Sequence, residues 1–137
     1  MIEITDEKKN AIKELAQKYN LRLLLLFGSQ TTGKVRKESD YDIAYLSGKP
    51  FDLMEEARLA ENLGLIFKSK SIDLVNLKRT PSLLMKRIFD RHEILFCLNQ
   101  REYFARQMYA LRKYQEAKPL FALRDAANAR FLNKHAG

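Results

Sequence analysis

Two aspartates, Asp40 and Asp42, stand one tyrosine apart at the head of an apolar run, Ile43-Ala44-Tyr45-Leu46. On a β-strand, residues two apart project from the same face, so both carboxylates aim at one spot. Hard divalent cations such as Mg²⁺ are bound in that way, through one or two carboxylates, with water and substrate phosphates completing the shell. Ten residues, Gln30 to Ser39, separate this pair from Gly28-Ser29, which closes another apolar run, Leu23 to Phe27. A Gly-Ser turn leading into a short helix offers backbone N–H groups and a hydroxyl to a phosphate chain. A third carboxylate, Asp73, lies in the alternating segment SIDLVNL. There Ile72 and Leu74 face one way while Asp73 and Val75 face the other, and a mid-strand carboxylate is costly unless paired or bound to metal. The pattern points to phosphate chemistry supported by metal.

Two blander readings compete with it. Gly28 and Gly33-Lys34 have the spacing of a P-loop, which needs Ser or Thr after the lysine and then an apolar-periodic helix. Residue 35 is Val, followed by Arg36, Lys37, Glu38 and Ser39, so the metal hydroxyl and the helix are both missing. Aspartates are also common in turns. Gly28-Ser29 and Asp73 in register with the pair argue against that reading here.

Gly28-Ser29, ten residues, then Asp40-Tyr41-Asp42, with a hydrophobic strand on either side, resembles the signature of the DNA polymerase β-like nucleotidyltransferase superfamily, and within it the minimal nucleotidyltransferases (MNT). The resemblance covers residues 10 to 98. It implies an α/β fold: a polymerase β-like palm with a small mixed sheet, helices on one side and a helical C-terminal tail. It also implies two-metal nucleotidyl transfer. Asp40 and Asp42 would hold two Mg²⁺ ions, Asp73 would join the one activating the acceptor hydroxyl, and Gly28-Ser29 would grip the triphosphate of ATP. Small members of this family pair with a HEPN protein, a helical ribonuclease toxin, and transfer AMP to its tyrosine, acting as antitoxin. A contact-only antitoxin with idle catalysis and a small-molecule nucleotidyltransferase of aminoglycoside type are the alternatives. Retention of all three carboxylates speaks against the first, and the short stretch after the last strand against the second. Many members have Ala and Arg where this chain has Thr31 and Thr32, which puts a phosphate contact from position 32 in doubt.

The elements that must position these residues are readable in order. Thr5 to Tyr19 has a capping residue, acidic Asp6 and Glu7 in its first turn, and Ile12, Leu15, Ala16 and Tyr19 at helical spacing. Leu23 to Phe27 is unbroken in apolar character, as expected of a central strand covered on both faces. The loop to Ser39 brings Lys34, Arg36 and Lys37 beside the triphosphate position, either as solvated charge or as a phosphate or partner contact. Ser47-Gly48-Lys49-Pro50 is a turn, and Asp52 with Glu55 predicts a helix cap. The helix from Leu53 to Lys68 is expected to pack through Leu53, Ala57, Ala60 and Leu63, leaving Asp52, Glu55 and Glu56 as a solvated first turn. Pro81 opens a short helix, Leu83 to Phe89, and Glu93 to Leu98 is a final strand, with His92 as a surface or capping residue.

The chain reads as a nucleotidyltransferase domain, 1–98, extended by a helical segment, 99–137. Arg101 to Lys134 carries eight Lys and Arg against three acids, or +5 of the whole-chain +8. Tyr103, Phe104, Met108, Leu111 and Tyr114 form a stripe of helical type that packs on the domain or a partner, and Pro119 is expected to break the helix before a second begins near Leu120. Basic, aromatic-bearing helices also bind nucleic acid, but an acidic protein partner explains the charge equally well. Cys97 cannot form an internal disulfide, and in the run Ile94 to Leu98 it reads as a small hydrophobe. No signal peptide opens the chain, and no apolar run approaches the ~18 residues of a membrane helix; the expectation is a cytoplasmic protein. Nucleotide preference and oligomeric state, including homo-oligomers, stay open.

Overall fold

The computed structural model describes residues 4–28 and 41–135, with side chains through 132. Ser29, Asp40 and the loop between them, with Lys34, Arg36 and Lys37, lie outside the described residues. Helix α1 (Asp6–Lys18) is capped by Thr5, whose hydroxyl accepts from the Lys8 N–H at 3.2 Å. Strand β1 (Leu21–Phe27) follows, then β2 (Tyr41–Ser47), α2 (Leu53–Phe67), β3 (Ile72–Asn76), α3 (Ser82–Asp90), β4 (His92–Cys97) and α4 (Gln100–His135). The strands form one mixed sheet in the order β3-β2-β1-β4, with β2 and β3 parallel and the other pairs antiparallel.

The unbroken LLLLF of β1 is explained by its place in the middle of that sheet. Leu24 and Leu26 enter one apolar cluster with Ile43 and Tyr45 of β2, Ile12, Leu15 and Ala16 of α1, and Leu59, Leu63 and Phe67 of α2. Leu23 and Leu25 enter another with Ala44 and Leu46, Met85, Ile88 and Phe89 of α3, and Ala110 of α4. The α/β fold is as expected, but its helices cover both faces of the sheet rather than one. A strand apolar at every position must be covered twice.

Two local expectations need correction. Helix α2 packs through Leu59, Leu63 and Phe67, whereas Leu53 is 88% exposed. The line of Leu53, Ala57 and Ala60 instead faces an open groove along the edge strand, bordered by Ile72 and Leu74. Helix α4 runs through Pro119 without a break. Proline there removes one N–H, and the carbonyl left without it belongs to Gln115, which like Pro119 is exposed and open to water. The Asp52–Glu55 cap is present in both directions, Asp52 accepting from the Glu55 N–H at 2.7 Å.

Candidate active site

Because β2 alternates, its residues divide between two jobs. Tyr41 and Tyr45 turn toward α1 and α2: the Tyr41 ring stacks on Phe67 with centroids 4.9 Å apart, and Tyr45 stacks on Phe51 at 5.3 Å. Asp42, between them, turns to the opposite face, the one covered further along by α3 and α4. The tyrosine inside Asp-x-Asp is thus an anchor that fixes the start of the strand.

Asp42 pairs in register with Phe27 of β1 on one side and with Asp73 of β3 on the other. In a ladder, direct partners share a face, so the carboxylates of Asp42 and Asp73 stand on neighbouring strands with a common orientation. Asp42 is half-buried. Asp73 is exposed on the edge strand, so the expected penalty of a buried mid-strand carboxylate does not apply to it. What singles it out is its register beside Asp42.

Gly28 completes the arrangement. Its φ is +81°, and a Cβ placed there would lie 2.2 Å from Asp42 Oδ2 and 3.0 Å from its Cγ. Any side chain at 28 would therefore be strained by the backbone and would occupy the space of the carboxylate. Gly28 and Asp42 come together as the sequence spacing demanded, and Asp73 joins them. Among the described residues no group of three His, Cys, Asp or Glu side chains forms a metal site. The donor chemistry nevertheless fits a hard cation: two carboxylates on one face, beside a cradle that a Cβ would fill.

The same row continues across the sheet through Phe27 to His92. His92 is the capping residue expected from sequence, since its ring meets a last-turn carbonyl of α3, and it is half-buried rather than on the surface. Its Nδ1 lies 3.1 Å from the Ile88 carbonyl and its Nε2 2.6 Å from the Tyr103 hydroxyl. Since a carbonyl only accepts, Nδ1 carries the proton and Nε2 accepts from the tyrosine. Burial raises the Tyr103 hydroxyl above its ordinary range, with nearby Cys97 adding to the rise, which keeps it a donor. The histidine thereby ties α3 and α4 to the end of β4. Sequence reasoning also missed the hydrogen bond from the Tyr45 hydroxyl to Glu56 at 2.7 Å. The available signal was a tyrosine inside an apolar strand, whose hydroxyl needs a partner.

A mixed sheet that sets Asp42 against the Gly28 turn, with Asp73 in register beside it, has the arrangement of a nucleotidyltransferase palm. The family described as Polymerase beta, Nucleotidyltransferase matches residues 10–101, and the chain belongs to that family. The protein adenylyltransferase MntA of Shewanella oneidensis is 29% identical over 99 residues, which span 72% of this chain and 70% of that relative. A crystal structure of a toxin-antitoxin with AMP-PNP is similar, with a TM-score of 0.70 and 26% identity, covering 90% of this chain and 98% of the other. A complex of a tri-AMPylated Shewanella oneidensis HEPN toxin with its MNT antitoxin gives a TM-score of 0.69 at 25% identity, covering 92% and 97%. No helix among the described residues is long and apolar enough to cross a membrane.

Proposed function

We propose that this chain is a Mg²⁺-dependent protein adenylyltransferase that moves AMP from ATP to a tyrosine hydroxyl of a HEPN-type partner and acts as its antitoxin. The observation that carries the reading is the register of Asp42 beside Asp73, with Gly28 leaving room for the Asp42 carboxylate. The likeness to an adenylyltransferase and to a complex holding an AMPylated HEPN toxin supplies the substrate class.

Asp42 and Asp73, with Asp40 completing the set, are the residues that would hold the cations. When bound, these would neutralise phosphate charge and favour loss of the acceptor's proton. Gly28 turns the chain so that its backbone, with Ser29, can approach the triphosphate. The acceptor oxygen forms its bond to the α-phosphorus as the bond to the β-phosphate oxygen breaks; the hydroxyl proton is lost and pyrophosphate departs with the electron pair. No protein nucleophile is required, since positioning and charge neutralisation lower the barrier.

The test is transfer of label from α-³²P-ATP to a purified HEPN-type protein, the product of the adjacent gene where that gene encodes one, with and without Mg²⁺. Label on the partner that requires Mg²⁺ and disappears in Asp42→Ala is the expected result. Tight complex formation without label in the wild type would replace the enzyme reading with an antitoxin that works by contact alone.

A further inference from the structure

Adenylyl transfer to tyrosine requires a phenol that a nucleotide can reach, and the chain carries six tyrosines of its own, all among the described residues. Five are taken up by packing. Tyr45 is fully buried and donates to Glu56, the Tyr103 hydroxyl donates to His92, and the Tyr19 hydroxyl accepts from Asn62 at 3.1 Å. Tyr41 is half-buried against Phe67, and Tyr114 is half-buried against Phe121 and the Lys86 ammonium. Tyr109 of α4 is left. It is 38% exposed, and its hydroxyl makes no hydrogen bond among the described residues.

The surroundings of Tyr109 suit an adenylyl acceptor. One helical turn to either side, Arg106 and Lys113 lie over its ring, 5.6 and 5.5 Å from the centroid. Arg106 has no acidic partner among the described residues, and Lys113 meets only Glu116 at 3.4 Å, an exposed pair of little strength. Two cations beside one phenol offer opposite charge to the phosphates of an incoming nucleotide, and an ion-pair partner to the phosphodiester once it is made.

Position decides which copy does the work. Ala110, the next residue, belongs to the buried cluster of Leu23, Leu25, Ala44 and Leu46, so the adjoining Tyr109 side chain points outward. A helix fixed across the sheet cannot turn that side chain to the Asp42 end of the same sheet. The adenylyl donor must then be bound to a second copy.

We propose that Tyr109 is a self-modification site, adenylylated by the active site of another copy of this chain. The inference rests on the adenylyl-transfer reading and adds an acceptor on the chain itself. The Tyr109 oxygen forms its bond to the α-phosphorus as the bond to the β-phosphate oxygen breaks; the phenol proton passes to water and pyrophosphate leaves with the electron pair. Each event replaces a neutral hydroxyl by an anionic phosphodiester on a basic helix.

The experiment divides enzyme from acceptor. Tyr109→Phe, whose site is intact, is mixed with tagged Asp42→Ala in α-³²P-ATP and Mg²⁺, and peptide mass spectrometry locates the modified residue. Label on the Asp42→Ala chain at Tyr109, with none on Asp42→Ala/Tyr109→Phe, is the expected result. Wild type incubated with ATP and digested gives the same assignment without relying on the fold of the Asp42 variant. Its labelling rate per chain rises with its own concentration, and Arg106→Gln/Lys113→Gln lowers that rate several-fold while leaving transfer to a purified HEPN-type protein unchanged. If Tyr109→Phe labels the HEPN-type protein but not Asp42→Ala, and wild type carries no adenylyl group, the self-modification site is overturned and the transferase reading stands. Label that persists on Asp42→Ala/Tyr109→Phe overturns the assignment to Tyr109, and a per-chain rate independent of concentration overturns transfer between copies. A wild type that labels Tyr109 but not the HEPN-type protein keeps this inference and overturns the HEPN-type acceptor. A wild type that labels neither overturns both.

Discussion

The two faces of this sheet are built from the same strands to opposite ends. On β2, Ile43 and Tyr45 fill the core under α1 and α2, while Asp42, one residue away from each neighbour that packs there, stands in a row with Asp73 on the other face. Tyr41 belongs to the packing face and Asp42 to the candidate site, so a single peptide step separates a residue that holds the strand from one positioned for chemistry. Substitutions on the two faces should then separate activity from stability. The largest effect is expected at Asp42→Ala: adenylyl transfer falls by roughly 10³-fold, the scale of removing a group that stabilises transition-state charge, while thermal unfolding shows the fold retained. A variant that unfolded instead would show the carboxylate to be part of the packing.

Gly28→Ala tests the point where site and backbone meet. The new Cβ would be placed 2.2 Å from Asp42 Oδ2 at a φ of +81°. The chain should lose roughly 1–3 kcal/mol of stability from the strained backbone. Displacing the Asp42 carboxylate by about 1 Å is expected to cost about 10²-fold in turnover. Chemical denaturation and label transfer on one preparation measure both. Wild-type turnover in this variant would show that the carboxylate can act from elsewhere.

Tyr41→Leu probes the packing face next to the site. It keeps an apolar side chain but removes the stack on Phe67, a loss of roughly 0.5–1.5 kcal/mol. Turnover should fall several-fold, far less than in Asp42→Ala, because the start of β2 is held less firmly. An Asp42-sized loss of activity would make Tyr41 a participant in the site rather than its anchor.

How much of this was legible depended on whether the information was local. The Gly28-Ser29 spacing to Asp40-Tyr41-Asp42, the run LLLLF, the alternation around Asp73 and the Asp52–Glu55 cap are local patterns, and the described parts of each take the form their spacing implied. What could not be read depends on neighbours far along the chain. Leu53, Ala57, Ala60 and Leu63 fit one helical face as well as Leu59, Leu63 and Phe67 do, and only the position of the sheet chooses between them. The stripe from Tyr103 to Tyr114 divides in the same way: Tyr103 and Tyr114 meet α3, whereas Phe104 and Met108 are exposed. Pro119 was read by its intrinsic cost, which water at an exposed carbonyl offsets. The exposure of Asp73 follows from β3 being an edge strand, a property of strand order that no single segment carries.

The smallest expected effect lies deepest on the packing face. Tyr45 is fully buried and donates to Glu56. Burial first, and the Glu56 hydrogen bond and charge next, raise its hydroxyl well above the usual tyrosine range. Tyr45→Phe removes one hydrogen bond and should cost about 1 kcal/mol at neutral pH, with kcat and KM unchanged because no atom of the ring faces Asp42. The pH dependence has a definite sign. In the unfolded chain the phenol ionises near its ordinary value of about 10, whereas the folded protein holds the proton. The contribution of Tyr45 is therefore complete below about pH 10 and declines as pH rises from there toward the folded value. The stability gap between wild type and Tyr45→Phe should narrow in alkali. A gap that widened would mean that the folded protein stabilises the phenolate, against the burial and the neighbouring carboxylate that surround it.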